Sequence, residues 1–268
     1  MHRYGLKAAS RQCLRDAQIS PRRIVAFYLL CLYLVLIPCD IYSYILEAKY
    51  STLSGIGAIA LRKRYYLWTS VITVLVNICL ILWNVGFQAY ALRLSRKARA
   101  GADDLLTGFR LFGKVLWLDV VSAVYIFLWS LLFVIPGIIA LYRYRMAIYI
   151  LLDHPEYSAN RCLAESSALT QGHKWEIFLL DLSFWWYYAL TFLCINSIFL
   201  LTWESFPLSG LGGYLTCYFT GVAGSCLVDY FSLAYIQCTY AHCYNWLQME
   251  ANARWKNSHF SGRPYESF

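Results

Sequence analysis

The stretch from Lys114 to Asp153 reads KVLWLDVVSAVYIFLWSLLFVIPGIIALYRYRMAIYILLD, and its reading decides the fold. Between its ends the only charged residues are Asp119, Arg143 and Arg145. As one helix it would run about 39 residue steps, ~58 Å, nearly twice the ~30 Å hydrocarbon core of a bilayer. Pro136-Gly137 divides it. Either two spans form a tight hairpin, or one span is followed by a helix lying in the membrane interface. The second piece, Ile138–Leu152, is only ~22 Å as helix, short for a crossing.

The rest of the chain has the same character. Of 268 residues, 60% are hydrophobic and 14% charged, with a mean hydropathy of +0.48. Soluble domains run near 45–50% apolar and about 25% charged, so a disordered or nucleic-acid-binding chain is excluded. Length and the long apolar runs exclude a small disulfide-stapled secreted domain. An all-α, polytopic membrane bundle remains. Its expected spans are about 24–46, 65–92, 115–135, 138–152, 175–201 and 214–247, all in one membrane domain, with a polar, frayed tail at 248–268.

Charge decides between the two readings of the hairpin. With six spans, one side of the membrane carries 17 Lys and Arg and the other carries 4, all in 47–64. Positive residues accumulate on the cytoplasmic side, so both termini are expected inside. Arg62-Lys63-Arg64 falls on the opposite side, where an aromatic belt of Tyr65, Tyr66 and Trp68 lets basic side chains snorkel. Ile24–Ile37 lacks a signal-peptide cleavage pattern and reads as an uncleaved first span. Five of the ten cysteines (Cys31, Cys79, Cys194, Cys217 and Cys226) lie in apolar spans as small hydrophobes, and structural disulfides are not expected.

Three interfacial helices are expected on the cytoplasmic face. In the first, Arg3, Lys7, Arg11 and Arg15 recur every fourth residue and make one basic stripe. Like charges at that spacing oppose the helix, so anionic lipid headgroups are the expected counter-charge, beside the plainer reading of ordinary inner-face charge. A second opens at Asp103 or Asp104 as cap and points Phe109, Leu111 and Phe112 at lipid. A third runs over Ser158–Gln171, capped by Ser158 and Gly172.

Ionisable residues within spans are costly and therefore candidates for function. Counting depth from the hairpin turn puts Asp40, Arg143 and Arg145 in the outer half, where Asp40 is expected to pair with one arginine. Asp119, Asp181 and Asp229 fall in the inner half, where they would form an acidic cation or proton site or be satisfied singly by nearby donors. Asn77, Asn84 and Gln88 share a face of the second span, as helix glue or the lining of a hydrated path. Gly221, Ala223, Gly224 and Ser225 suit close helix contact. Cys238, His242 and Cys243 do not converge at helical spacing, so no metal site is expected. No hydrolase, zinc-protease or phosphate-loop motif is present, and no cofactor is expected.

One group of residues resembles a known family. It comprises Pro136-Gly137-Ile138-Ile139 through Tyr142 and Tyr144 to Tyr149, then Pro155, Ser158 and Ser166 to Gly172-His173-Lys174-Trp175, and Leu182-Ser183-Phe184. Together they resemble an uncharacterised bacterial integral-membrane family with a Pro-Gly-Ile hairpin and a Gly-His-Lys lead into the next span. Asp104-Leu105 with Gly108-Phe109, and Tyr235, Tyr240 and Tyr244-Asn245-Trp246-Leu247, extend the likeness to roughly Leu6–Leu247. Thr170-Gln171 stands where the family has Met-Lys, and Trp186-Tyr187 where it has Gly-Trp. The resemblance implies a multi-span protein of a bacterial cell membrane, and it brings no activity. Three classes of function stay open: transport or lipid handling through a polar site between helices, a non-catalytic scaffold or partner subunit, or an intramembrane enzyme with no identifiable constellation. A membrane-protein partner or homo-oligomer fits the second class.

Overall fold

The computed structural model describes residues 3–17, 19–51, 56–202 and 211–260. Among these the regular structure is helical throughout: α1 Arg3–Arg15, α2 Pro21–Ser51, α3 Ile56–Ser95, a 3-10 turn Ala102–Leu106, α4 Thr107–Arg110, α5 Phe112–Leu132, α6 Val134–Tyr144, α7 Ala147–Asp153, α8 Ala159–Leu169, α9 Lys174–Leu182, α10 Trp185–Thr202 and α11 Leu211–Phe260. Five segments are long and apolar enough to cross a membrane, and the bent pair α9–α10 makes a sixth. Helix is the expected outcome for such sequence, because hydrocarbon offers the backbone no partner except its own ladder.

The hairpin turns at Phe133, three residues before the expected Pro-Gly. Phe133 is extended (φ −162°, ψ 157°) and α6 starts at Val134. Pro136 thereby falls in the first turn of α6, where its missing N–H costs no hydrogen bond. Gly137 is the close-approach residue, since a Cβ there would lie 2.2 Å from Ser130 Oγ on α5. The second arm is not one helix. It breaks at Arg145-Met146 into α6 and α7, and buried Ser166 of α8 bridges the gap. Its hydroxyl donates to the Arg143 carbonyl (2.8 Å) and accepts the Met146 N–H (3.2 Å). As expected, α8 is capped by Ser158, whose Oγ accepts from the Arg161 N–H, and Gly172 beyond its end takes a left-handed φ of 85°.

The expected span 175–201 is also divided. It bends by 46° between α9 and α10. Ser183 Oγ donates to the Leu180 carbonyl (2.5 Å), competing with the helical ladder, and the Phe184 ring is fully buried. The basic stripe of α1 meets this break. Arg3 donates to the Leu179 carbonyl and Lys7 to that of Ser183, both at 3.4 Å, while Lys7 sits 4.4 Å over the Phe184 ring. Two of the four stripe charges therefore find counter-charge in the negative end of α9 and not only in an external anion. Burial, with the neighbouring Arg11 and Arg3 charges, holds the Lys7 pKa below its ordinary value.

The core lies at one end of the bundle. It collects Phe87 and Tyr90 of α3, Leu105, Met146 and Leu151, Cys162, Ile177 and Leu180, Tyr244 and Leu247 of α11, and Leu6 and Cys13 of α1. Gly86 and Gly108 seat the 3-10 turn and α4 flush against α3, because a Cβ at either would lie 1.9 Å from a carbonyl oxygen, of Leu105 or Leu82. Away from this end the helices are sparsely covered; only 11% of the apolar window in α5 is buried. At 40 and 50 residues, α3 and α11 outrun a bilayer, at ~60 and ~75 Å. Of the tail expected to fray over 248–268, the described part stays helical to Phe260, with Gln248, Glu250 and Arg254 bonded to neighbouring side chains, and 261–268 lie outside the described residues.

Candidate functional site

Where the packed end meets the open spans lies a cavity of about 300 Å³. Asn84 and Gln88 of α3, Arg145, Tyr187 of α10, and Gln237 and Tyr240 of α11 line it. The break at Arg145-Met146 delivers the guanidinium here. Its Nη1 lies 2.9 Å from Asp181 Oδ2, and its Cζ lies 4.6 Å from the centre of the Tyr240 ring. The same carboxylate accepts hydroxyls from Tyr142 (3.1 Å) and Tyr240 (2.7 Å). Three donors on one carboxylate offset the loss of hydration that a span imposes.

The structure joins Arg145 to Asp181 and separates the other candidates. Asp40 accepts from Tyr218 OH at 2.7 Å, so the expected pair with Arg143 or Arg145 does not form. Measuring depth from the hairpin turn misplaced those arginines. Contacts with α8, α9 and α11 put them at the core end, where Arg143 Nε donates to Ser167 Oγ at 2.5 Å. Asp229 accepts from Tyr187 OH at 2.6 Å. Asp119 is exposed on α5. The three inner acids thus have separate surroundings, and among the described residues no group of three His, Cys, Asp or Glu is placed to hold a metal ion. Cys238 and Cys243 are buried core residues, and His242 Nε2 has no hydrogen-bond partner.

Of the polar stripe on α3, Gln88 donates to Asn84 at 2.8 Å on the cavity wall. Asn77 is exposed and returns to the Thr73 carbonyl of its own helix. Gln237 and the tyrosine hydroxyls were not singled out by the sequence reading as lining groups. A lone Gln in an apolar run was the available signal for Gln237, whereas Tyr187 and Tyr142 look like ordinary span aromatics.

A second opening shares the helix α11 with the first. An apolar groove of about 780 Å³ runs between α2 and α11, lined by Leu30, Tyr33 and Ile37 on one side and Phe219, Ala223 and Tyr230 on the other. On α11 its residues Phe219, Ala223, Cys226 and Tyr230 continue into Leu233, Gln237 and Tyr240 of the cavity wall. Steps of three and four keep all of them on one helix face. Gly224 points instead at α10, where a Cβ would lie 3.0 Å from Cys194 Sγ, as the small-residue patch led us to expect.

Apolar helices of spanning length, open over most of their surface and carrying a polar cavity between them, define an integral membrane protein. Residues 131–251 match a family described as a protein of unknown function (DUF975), in agreement with the resemblance to an uncharacterised family. The matched segment contains Arg145, Asp181 and Asp229, and it leaves out α1, Asp40 and Asp119. No curated protein and no solved structure matches the chain.

Proposed function

We propose that the protein handles lipids or lipid-like amphiphiles, holding an acyl chain in the α2–α11 groove and the polar head in the cavity beside Arg145. The observation that carries this reading is the single face of α11, apolar from Phe219 to Tyr230 and polar at Gln237 and Tyr240. Because Asp181 already balances Arg145, the head is held by neutral hydrogen bonding from Asn84, Gln88, Gln237 and tyrosine hydroxyls more than by charge. Separate partners for Asp181 and Asp229 argue against an ion-coupled acidic site. We place the core end and both termini on the cytoplasmic side of a bacterial cell membrane, on the strength of 17 Lys and Arg against 4. Exposed Arg11 and Arg15 would there meet anionic headgroups.

The test is native mass spectrometry of the protein released from nanodiscs of phosphatidylethanolamine and phosphatidylglycerol. One retained lipid is expected, lost at least tenfold when Ala223→Trp fills the groove and reduced when Gln237→Leu strips the head site. Retention equal to the parent in both variants refutes the reading. A second reading, a scaffold for other membrane proteins, draws on the individually partnered acids and the bare surface of α5. A co-purified protein partner with no retained lipid would favour it.

A further inference from the structure

The α5–α6 hairpin stands apart from the helices that run the length of the bundle. Its arms pack on each other, with Tyr125 and Tyr144 ring centres 6.0 Å apart and Gly137 against Ser130. Beyond Leu118 and before Gly137, no residue of the hairpin is buried. Depth can be read from its base. Arg145 shares a cavity wall with Asn84 and Gln88 of α3. These lie beside Trp83 and Phe87, which pack on Tyr28 of α2, about one and a half turns past Arg22-Arg23 where α2 enters its apolar run. The opposite membrane face is marked by Arg62-Lys63-Arg64 and Tyr65, whose hydroxyl donates to the Ser43 carbonyl of α2.

Between these levels α3 runs about 19 residues from Asn84 to Tyr65, ~28 Å, close to a full hydrocarbon thickness. The hairpin runs about 12 residues from Arg145 to Phe133, ~18 Å at most. Its tip therefore stops ~10 Å short of the level that α3 reaches. The chemistry of the tip agrees with that depth. From Leu131 to Leu141 no side chain carries a polar atom, and Leu131, Leu132, Phe133, Val134 and Ile135 are 65–74% exposed. At an aqueous face these five side chains would all be wetted. The turn is tight: its single non-helical residue, Phe133, donates its N–H to the Trp129 carbonyl and accepts from the Gly137 N–H, and Pro136 brings no N–H.

We propose that α5 and α6 form a re-entrant hairpin, which enters the bilayer from the core end and returns without crossing. Its partner is the acyl-chain region of one leaflet, and its tip lies within hydrocarbon. The chain then crosses the membrane through α2, α3, α10 and α11, and the core end stays on one side throughout. This inference does not depend on the lipid site.

Nanodiscs expose both faces of the bilayer, so a cysteine at either aqueous surface reacts with a membrane-impermeant sulfonated maleimide. Ile135→Cys tests the tip and Leu61→Cys, beside Arg62, serves as the aqueous control. With labelling of the parent subtracted, Leu61→Cys should gain one label and Ile135→Cys should react at least a hundredfold more slowly. The double variant Leu61→Cys/Ile135→Cys should then gain one label, which also shows that the folded protein was assayed. Two labels in the double variant, or comparable rates at the two sites, would overturn the proposal and establish a full crossing.

Discussion

Removing both partners of the Arg145–Asp181 pair should cost no more than removing Asp181 alone, and well below the sum of the two single losses. The two side chains retain 26% and 15% of their exposure and sit 2.9 Å apart. Opposite charges at this separation attract by about 6 kcal/mol at an effective dielectric of 20, and each loses several kcal/mol of hydration on burial. The intact pair therefore contributes little net. Asp181→Asn leaves the guanidinium facing only ring faces and hydroxyls, and we expect a loss of about 3 kcal/mol. Arg145→Met leaves a carboxylate still bonded to Tyr142 and Tyr240, so about 2 kcal/mol is expected. The double variant should lose about 2–3 kcal/mol, a coupling of about 2–3 kcal/mol. Unfolding in mild detergent, followed by helical signal against added sodium dodecyl sulfate at pH 7, measures all four corners of the cycle. Additivity to within about 0.5 kcal/mol would show that the two charges do not interact and would refute this account of the site.

Three other changes test how the core end is held. Ser166→Ala strands the buried Met146 N–H at the α6–α7 break, while the Arg143 carbonyl keeps the Thr170 hydroxyl, and should cost about 2 kcal/mol, seen as faster amide hydrogen exchange at Met146. Gly108→Ala would put a methyl 1.9 Å from the Leu82 carbonyl oxygen; about 2–3 kcal/mol of overpacking should lower the thermal midpoint, whereas Gly101→Ala, with open space around it, should leave it within a degree or two. Asp104 is buried, pairs with Arg93 and accepts the Gly101 N–H, so Asp104→Ala should cost about 2 kcal/mol. An unchanged midpoint would show that the carboxylate does not anchor this turn.

Much of the architecture is legible in residue type. Runs of apolar residues give the helices of spanning length, and Ser158 and Gly172 give the limits of α8, but Asp103 and Asp104, expected as caps, lie inside a 3-10 turn that Gly101 caps, with Asp104 accepting the Gly101 N–H. The breaks at Phe133, at Arg145-Met146 and at Ser183-Phe184 are less legible. Pro136 signals the first but suits a helix's opening turn as well as its end. The second depends on Ser166, 20 residues from Met146 and 23 from Arg143, offering both a donor and an acceptor. The third depends on the α1 cations reaching carbonyls about 176 residues further along the chain.

The sequence by itself determines that this chain lives in a membrane, that it is helical, and which charges are costly there. Those are consequences of composition and of a solvent that cannot bond to the backbone. Partnership was decided only by tertiary structure. Asp40 and Arg143 looked like a pair because depth was counted along one strand of sequence from an assumed outer turn. In the folded protein Asp181 takes Arg145, Asp229 takes Tyr187 and Asp40 takes Tyr218. Depth and azimuth of a side chain depend on where each helix breaks and what it leans on, and those are set by contacts between distant segments.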